Sequence, residues 1–247
     1  MKRQLLPLLA LCATGCFLRP DPATVPMRTL EISPGTPGTR CLVVFLAGRG
    51  DTPEHFVRNG FPEALRRAGS GCALMGADAH LGYFIDRSVG RRLQEDVVAP
   101  AKVRGFQEIW LVGISLGGFG SLLYTKDHTG DIAGIVALAP YLGSRSLIDE
   151  IAAAGGAAAW APHEIPREKD LPAFWAWLKG YRHPDAEHPP LFLTYGRSDR
   201  FARANGLLAD LLPDDHVFPV RGGHTWAAWR RGWDAFLASP YLPGKTG

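Results

Sequence analysis

Residues 108–127 read EIWLVGISLGGFGSLLYTKD and pass from an apolar run through a glycine-rich turn into a helical pattern. Within them, Gly113-Ile114-Ser115-Leu116-Gly117-Gly118 fits the pattern Gly-x-Ser-x-Gly in the strand-turn-helix context that it requires. Side chains at 113 or 117 would collide with the neighbouring strand and helix, so glycine permits a sharp, strained turn. The stretch predicts an exposed serine at a helix N-terminus, where the dipole favours negative charge. The alternative is a serine that only caps the helix.

Short apolar runs alternate with helix-like intervals along the rest of the chain. They lie near residues 41–46, 72–76, 108–113, 132–138, 191–195 and 216–220. Runs 42–46 and 109–112 are apolar at consecutive positions, which is typical of strands covered on both faces. Residues 28–32 alternate instead and precede a Pro/Gly-rich turn, which favours an antiparallel edge strand. The pattern predicts an α/β fold, a three-layer α/β/α sandwich with a mostly parallel central sheet.

A serine hydroxyl needs a neighbouring base that a third group orients. His224 lies in Arg221-Gly222-Gly223-His224-Thr225-Trp226, after the last strand-like run, and Asp199 lies in the loop after run 191–195. The order Ser115, Asp199, His224 is the order of triads on this kind of sheet. The alternatives are that Asp199 only caps the helix beginning at Arg200 and that His224 is a solvated loop residue.

In these residues the chain resembles the α/β-hydrolase superfamily, in its serine esterase-like form, from Cys41 to the last helix. The resemblance implies the α/β-hydrolase fold and a Ser-His-Asp triad. Ser115 would attack a carbonyl, His224 would move the proton, and Asp199 would hold the imidazole. The expected domain spans 27–247, with a small helical lid insertion at about 143–190 because that connection is unusually long.

An oxyanion hole needs two backbone N–H groups aimed at the developing negative charge. Leu116, directly after the serine, is expected to supply one. The other is expected from Gly48 or, preferably, Arg49, in a loop where Ala47 replaces the histidine that family members often carry. Arg49 either places a cation beside the pocket, which favours an anionic substrate, or merely solvates the loop.

Two groups of aromatic residues need separate interpretations. Those of the lid segment either form an apolar wall over Ser115 or pack the lid helices onto the body; they are Trp160, Phe174, Trp175, Trp177 and Tyr181. Those of the last helix recur at helical spacing, which predicts core contact without a ligand-binding role; they are Trp226, Trp229, Trp233 and Phe236.

The N-terminus carries two cations, a short apolar run and small residues, which is typical of a secretory signal. Ala13-Thr14-Gly15-Cys16 resembles a bacterial lipobox, which implies a signal peptide over 1–15, lipidation of Cys16 and a proline-rich tether over 16–26. Two acyl chains would anchor the domain stably to the cell envelope, on the periplasmic side of a bacterial membrane. The alternative is an ordinary signal peptide with an incidental cysteine.

Composition, charge and hydropathy exclude several classes of protein. The chain has 247 residues, 46% hydrophobic and 21% charged, with a net charge of +3, so it is neither a mainly disordered chain nor a nucleic-acid-binding one. No later apolar run is long enough for a polytopic membrane protein. No metal constellation or cofactor fingerprint is present. Cys41 and Cys72 each open a strand-like run and either pair in an oxidising compartment or stay as buried thiols.

These features together favour a membrane-tethered serine hydrolase that cleaves a small-molecule or lipid-like carboxylic ester or thioester through an acyl-enzyme. The same residues would serve an acyltransferase or a peptidase. A non-catalytic ligand-binding lipoprotein is the hypothesis from another class, although a binding module gains nothing from a strained turn. Acyl length and oligomeric state are not encoded in any pattern that we find.

Overall fold

Seven strands form one sheet in the part of the chain that the computed structural model describes, residues 21–162, 170–183 and 187–244. They are β1 (Thr29–Ser33), β2 (Cys41–Leu46), β3 (Ala73–Ala77), β4 (Glu108–Ile114), β5 (Gly134–Leu138), β6 (Leu191–Gly196) and β7 (Val217–Val220). Their order is β1-β3-β2-β4-β5-β6-β7. Strand β1 is antiparallel to β3, and the other neighbouring pairs are parallel. The predicted mostly parallel sheet with an antiparallel edge strand is confirmed.

Ten α-helices of the described residues surround the sheet. They are α1 (Pro53–Arg58), α2 (Phe61–Arg67), α3 (Leu81–Ile85), α4 (Val89–Leu93), α5 (Ala99–Val103), α6 (Leu116–Asp127), α7 (Arg145–Ala153), α8 (Leu171–Leu178), α9 (Ala202–Ala209) and α10 (Trp226–Leu237). A π-helical turn, Gln94–Val98, joins α4 to α5. Short 3-10 turns lie at Thr129–Asp131, Lys179–Arg182 and Asp214–His216.

The consecutive apolar residues of β2 divide between two cores, because successive side chains of a strand point to opposite faces. Leu42, Val44 and Leu46 pack in one core with residues of α3 to α9. Val43 and Phe45 pack in the other with residues of α1, α2 and α10. The sheet is therefore covered on both faces, and the predicted three-layer sandwich is confirmed.

Three strands start later than the apolar runs that predicted them. Strand β3 starts at Ala73, β5 at Gly134 and β7 at Val217. Residues 132 and 216 belong to the ends of 3-10 turns, and Ile132 is buried although it lies outside the strand. Apolar side chains that close the core from a connecting turn thus lengthen the apolar run beyond the hydrogen-bonded strand.

The aromatic residues of the lid segment belong to the core. Trp160, Phe174 and Trp175 are at most 2% exposed, and the Trp175 indole donates to the Leu142 carbonyl at 2.8 Å. Burial also raises the pKa of the Tyr181 hydroxyl. These contacts favour the interpretation in which the aromatics pack the helices onto the body. Residues 163–169 and 184–186 of the predicted insertion lie outside the described residues.

The aromatic stripe of α10 follows its prediction at three of four positions. Trp229, Trp233 and Phe236 are buried in the core that contains Phe45. Trp226, the first residue of the helix, is only partly buried. This end of α10 faces the loops at the carboxyl ends of the strands.

The expected tether meets the domain before the first strand begins. The Thr24 backbone N–H donates to the Tyr83 hydroxyl, which donates to the Thr24 carbonyl at 3.0 Å. Met27 is buried, and its N–H donates to Asp96. Cys16 and the predicted signal segment lie outside the described residues. Within the described ranges, no helix combines the length and hydropathy that a membrane crossing needs.

A disulfide joins Cys41 to Cys72, two cysteines that the sequence left open as either bonded or free. Cys41 begins β2, and Cys72 directly precedes β3, the parallel neighbour of β2. Their Cα atoms are 4.7 Å apart, which lies within the range for a disulfide. The bond closes the chain over a separation of 31 residues at the amino ends of the strands.

We expect the double substitution Cys41→Ala/Cys72→Ala to lower the free energy of unfolding by about 3–4 kcal/mol, because the cross-link restricts the unfolded chain. Urea denaturation of the oxidised protein, the reduced protein and the variant measures this effect. Reduction should lower the stability of the parent and leave the variant unchanged. Equal stability of oxidised and reduced parent protein would show that the bond does not restrict the unfolded state.

Candidate active site

Ser115 occupies a strained turn between β4 and α6. Its φ and ψ angles are 53° and −111°, in a region that side chains other than glycine rarely enter. The backbone holds the residue there from both sides, because its N–H donates to the Leu138 carbonyl and its carbonyl accepts from Tyr141 N–H. The strained serine is therefore fixed against the end of β5.

Two glycines of the motif are required by close backbone contacts. A Cβ atom at Gly113 would lie 2.4 Å from the Gly117 carbonyl oxygen, and one at Gly117 would lie 2.1 Å from the Leu46 carbonyl oxygen. Both distances are too short for a real side chain. Helix α6 can thus begin directly against the end of β2, and the steric reason expected from the sequence is present at both positions.

Ser115, His224 and Asp199 form a continuous hydrogen-bonded chain. His224 Nε2 lies 2.9 Å from Ser115 Oγ, and His224 Nδ1 lies 2.8 Å from Asp199 Oδ2. A carboxylate only accepts hydrogen bonds, so the neutral imidazole carries its proton on Nδ1 and leaves Nε2 free to accept from the serine. The structure thus places the three sequence-predicted residues together, in the geometry of a nucleophile, a base and an orienting acid.

The Asp199 carboxylate is buried and has a second hydrogen-bond donor. Its side chain is 0% exposed, and Oδ1 accepts from Phe201 N–H at 2.8 Å. The helix expected to begin at Arg200 begins at Ala202 with Phe201 as its N-cap, so Asp199 does not cap it and holds the loop that precedes it. The two roles are compatible, because one carboxylate accepts several hydrogen bonds and the backbone N–H holds it in place for the imidazole.

The loops that carry Asp199 and His224 approach closely at two glycines. A Cβ atom at Gly196 would lie 2.2 Å from the Gly222 carbonyl oxygen, which accepts from Ser198 N–H at 2.9 Å. The aromatic rings of Phe201 and Trp229 then pack edge-on against the imidazole, with centroids 5.0 and 4.9 Å away. The histidine is held by packing as well as by hydrogen bonds.

The residues expected to form the oxyanion hole lie beside Ser115. Leu116 is the first residue of α6, and the first N–H groups of a helix have no acceptor within it. Gly48 is buried, and a Cβ atom built on it would lie 3.5 Å from Ser115 Cβ. Arg49 follows with its side chain exposed. The loop after β2 therefore passes directly beside the serine.

A contact between Asp51 and Trp226 belongs to the site, although neither residue was predicted to lie there. Asp51 N–H closes a turn onto the Gly48 carbonyl, and Asp51 Oδ1 accepts from the Trp226 indole at 3.3 Å. The loop beside the serine is thus tied to the start of α10, two residues after His224. The available signal was positional, since Trp226 starts its helix next to the histidine loop.

The described residues contain no group of three or more His, Cys, Asp or Glu side chains placed to hold a metal ion. The side chains present at the site offer proton transfer and hydrogen bonding. The arrangement can deprotonate a serine hydroxyl and stabilise the imidazolium that results.

Comparison with known proteins finds similarity in structure. No protein-family model matches the sequence, and no curated protein matches it either. A predicted CIB-like hydrolase from Thermoplasma acidophilum superposes with a TM-score of 0.58 at 16% identity, over 89% of this chain and 97% of that one. Est1E from Butyrivibrio proteoclasticus gives 0.56 at 18% identity, over 87% and 95%.

An S-formylglutathione hydrolase from Staphylococcus aureus gives a TM-score of 0.55 at 13% identity, over 85% of this chain and 96% of that one. All three similarities extend over most of both chains. The chain therefore has the α/β-hydrolase fold. At sequence identities this low, the structural similarity establishes the fold only. The chemistry follows from the residues of this chain.

Two helical glycines should respond to alanine with opposite signs. Gly117→Ala would place a methyl group on the Leu46 carbonyl, so we expect a destabilisation of about 1–3 kcal/mol. Gly206→Ala, in α9, meets open space and should stabilise by about 0.5–1 kcal/mol through helix propensity. Chemical denaturation of both variants measures the difference. A neutral Gly117→Ala would contradict the close contact.

Proposed function

We propose that the protein is a serine hydrolase that cleaves a carboxylic ester or thioester through an acyl-enzyme. The observation that carries this proposal is the hydrogen-bonded chain from Ser115 Oγ through His224 to the buried carboxylate of Asp199. A buried carboxylate on an imidazole whose other nitrogen faces a strained serine matches the requirements for activating that serine.

In the first half-reaction, Ser115 Oγ attacks the carbonyl carbon of the ester while His224 Nε2 takes the hydroxyl proton. The carbonyl oxygen becomes an oxyanion, which the N–H of Leu116 and an N–H of the loop after β2 stabilise. The tetrahedral intermediate collapses, and the bond to the leaving alcohol or thiol breaks. The imidazolium returns its proton to that leaving group, so the products are the acyl-enzyme and the free alcohol or thiol.

In the second half-reaction, water takes the place of the departed group. His224 Nε2 accepts a proton from the water as its oxygen attacks the acyl carbon. Ser115 Oγ then leaves and recovers the proton from the imidazolium, which releases the carboxylic acid. Asp199 stays ionised throughout and stabilises the imidazolium in both halves.

The similar structures support an ester substrate in general terms. Est1E has been solved with ferulic acid bound, and a further neighbour is named a ferulic acid esterase. Tyr141 and Phe201 give this chain aromatic surface near the serine, because Phe201 packs on both Tyr141 and His224. We therefore place small esters first among the substrates to screen.

Substitution at the serine tests the proposal. Wild-type protein should react with a fluorophosphonate probe at Ser115 and should hydrolyse p-nitrophenyl acetate. Ser115→Ala and His224→Ala should each lower kcat/KM by at least about 1,000-fold, because the triad acts as a unit. Mass spectrometry of the labelled peptides locates the adduct.

Ser198→Ala provides a matched control, because Ser198 is an exposed serine in the loop that carries Asp199. This variant should keep the activity and the labelling of the parent. Circular dichroism establishes that every variant is folded. Turnover by folded Ser115→Ala at the parent rate would refute the proposal and favour a ligand-binding role for the pocket.

We further propose that the protein is exported and held at the cell envelope through a lipidated Cys16. The lipobox-like sequence before Cys16 and the disulfide between Cys41 and Cys72 support this location, since disulfides persist in oxidising compartments.

Cys16→Ser should move the protein from the membrane pellet to the soluble fraction when it is expressed in a bacterium. Cys12→Ser is the control, because it changes a second cysteine of the same segment and should leave the protein in the pellet. Immunoblots of the two fractions provide the measurement. Retention of Cys16→Ser in the pellet would contradict anchoring through this residue.

A further inference from the structure

Arginine is the dominant charge in the loops around Ser115. The loops after β2, β6 and β7 hold four exposed arginines, and none forms an ion pair or side-chain hydrogen bond within the described ranges. They are Arg49, Arg197, Arg200 and Arg221. Elsewhere on the surface, arginines such as Arg203 and Arg104 pair with carboxylates. The edge of the sheet that carries the triad therefore holds four guanidinium groups that have no carboxylate partner in the described ranges.

The carboxylates of the same edge already have partners. Asp199 belongs to the triad, and Asp78, after β3, accepts from Arg28 at 2.9 Å. Asp51 accepts from the Trp226 indole and lies 3.8 Å from His55. The loop after β5, residues 139–144, contains no charged side chain. No carboxylate of these loops is paired with any of the four arginines.

Arg49 and Arg200 flank the serine from opposite sides. Strand β2 is the direct neighbour of β4, and β6 lies two strands away on the other side. With a spacing of about 5 Å between strands, the two loops stand about 15 Å apart with Ser115 between them. Arg49 directly follows Gly48, where a built Cβ atom would lie 3.5 Å from Ser115 Cβ.

The Arg200 side chain is oriented by an aromatic ring that also touches the triad. Its guanidinium carbon lies 4.9 Å from the centroid of Phe201, and Phe201 packs edge-on against His224 at 5.0 Å. A cation–π contact limits the freedom of the arginine without neutralising its charge. The Phe201 ring thus contacts both the Arg200 guanidinium and the His224 imidazole, and the guanidinium keeps its charge and its hydrogen-bond donors.

We infer that the substrate is an ester or thioester that carries a carboxylate beyond the scissile bond, and that Arg49 or Arg200 binds this carboxylate, according to the side of the serine on which it lies. The inference rests on the proposed hydrolase function and names its substrate class. Guanidinium groups match carboxylates in geometry, and two of them on either side of a serine favour anionic over neutral esters of the same shape. The charged group belongs to either the acyl part or the leaving group.

Two pairs of esters distinguish these positions. For the acyl part, p-nitrophenyl hydrogen succinate is compared with its methyl ester, p-nitrophenyl methyl succinate. For the leaving group, 4-acetoxybenzoate is compared with methyl 4-acetoxybenzoate. The measured quantity is the ratio of kcat/KM for the anionic ester to kcat/KM for the neutral ester, in wild-type protein and in each variant. Differences in intrinsic reactivity within a pair cancel between proteins.

Arg49→Gln and Arg200→Gln should each lower this ratio by about three- to five-fold in at least one pair, the size expected for an exposed ionic contact. The rate for the neutral ester is the internal reference, because a change in the catalytic machinery itself alters both rates and cancels in the ratio. Arg40→Gln is the matched control. It is exposed and unpaired in the described ranges but lies at the other end of β2, about 20 Å from Arg49.

The ratio for wild-type protein should also fall as salt rises from 0.1 to 1 M, because the screening length shrinks from about 10 to about 3 Å. Ratios that stay equal in Arg49→Gln, Arg200→Gln and Arg40→Gln overturn the inference while leaving the hydrolase proposal intact. Failure of the proposed function has a separate signature, because Ser115 would then remain unlabelled by the fluorophosphonate.

If Ser115 is labelled but no ester is hydrolysed, the measurement is instead how well a competitor protects Ser115 from the fluorophosphonate. The competitors are 4-carboxyphenylboronic acid and phenylboronic acid. Stronger protection by the carboxylate compound, lost in Arg49→Gln or Arg200→Gln but kept in Arg40→Gln, supports the inference. Equal protection by the two compounds overturns it.

Discussion

The contact between the first turn of α6 and the last carbonyl of β2 fixes the positions of Ser115 and of the loop after β2, on which the rest of the site depends. Because position 117 has no side chain, the helix starts against the Leu46 carbonyl, and Ser115 is forced into its strained turn. The same approach brings Gly48 beside the serine. A single steric requirement therefore sets the positions of both Ser115 and the loop that faces it.

The parallel sheet supplies the other half of the arrangement. Parallel strands end at one edge, so the loops after β4, β6 and β7 meet there although Ser115 and His224 are 109 positions apart in the sequence. A second close backbone contact, between Gly196 and Gly222, brings the loops of Asp199 and His224 together. Glycines thus set the distances between the backbone segments of this site. These distances determine where Ser115, Asp199 and His224 lie.

The sequence was most informative where backbone sterics dominate. Gly113 and Gly117 leave a local signature, and the order of the serine, aspartate and histidine follows from the topology. It was less informative where long side chains meet across the fold. The contact of Trp226 with Asp51 depends on distances between loops that no local pattern encodes, and so does the absence of a carboxylate partner for Arg200 among the described residues. Whether Cys41 and Cys72 are bonded depends on the distance between their Cα atoms, which the sequence pattern does not contain.

Strand β2 carries the disulfide at one end and the loop beside the serine at the other. Cys41 and Cys72 are buried at the amino edge of the sheet, whereas Arg49 lies exposed past the carboxyl edge. The disulfide and the loop beside Ser115 are thus separated by the full length of one strand. Residues of the surface loops can therefore change during evolution without disturbing the disulfide. A protein of this kind can acquire a new substrate while it keeps its fold.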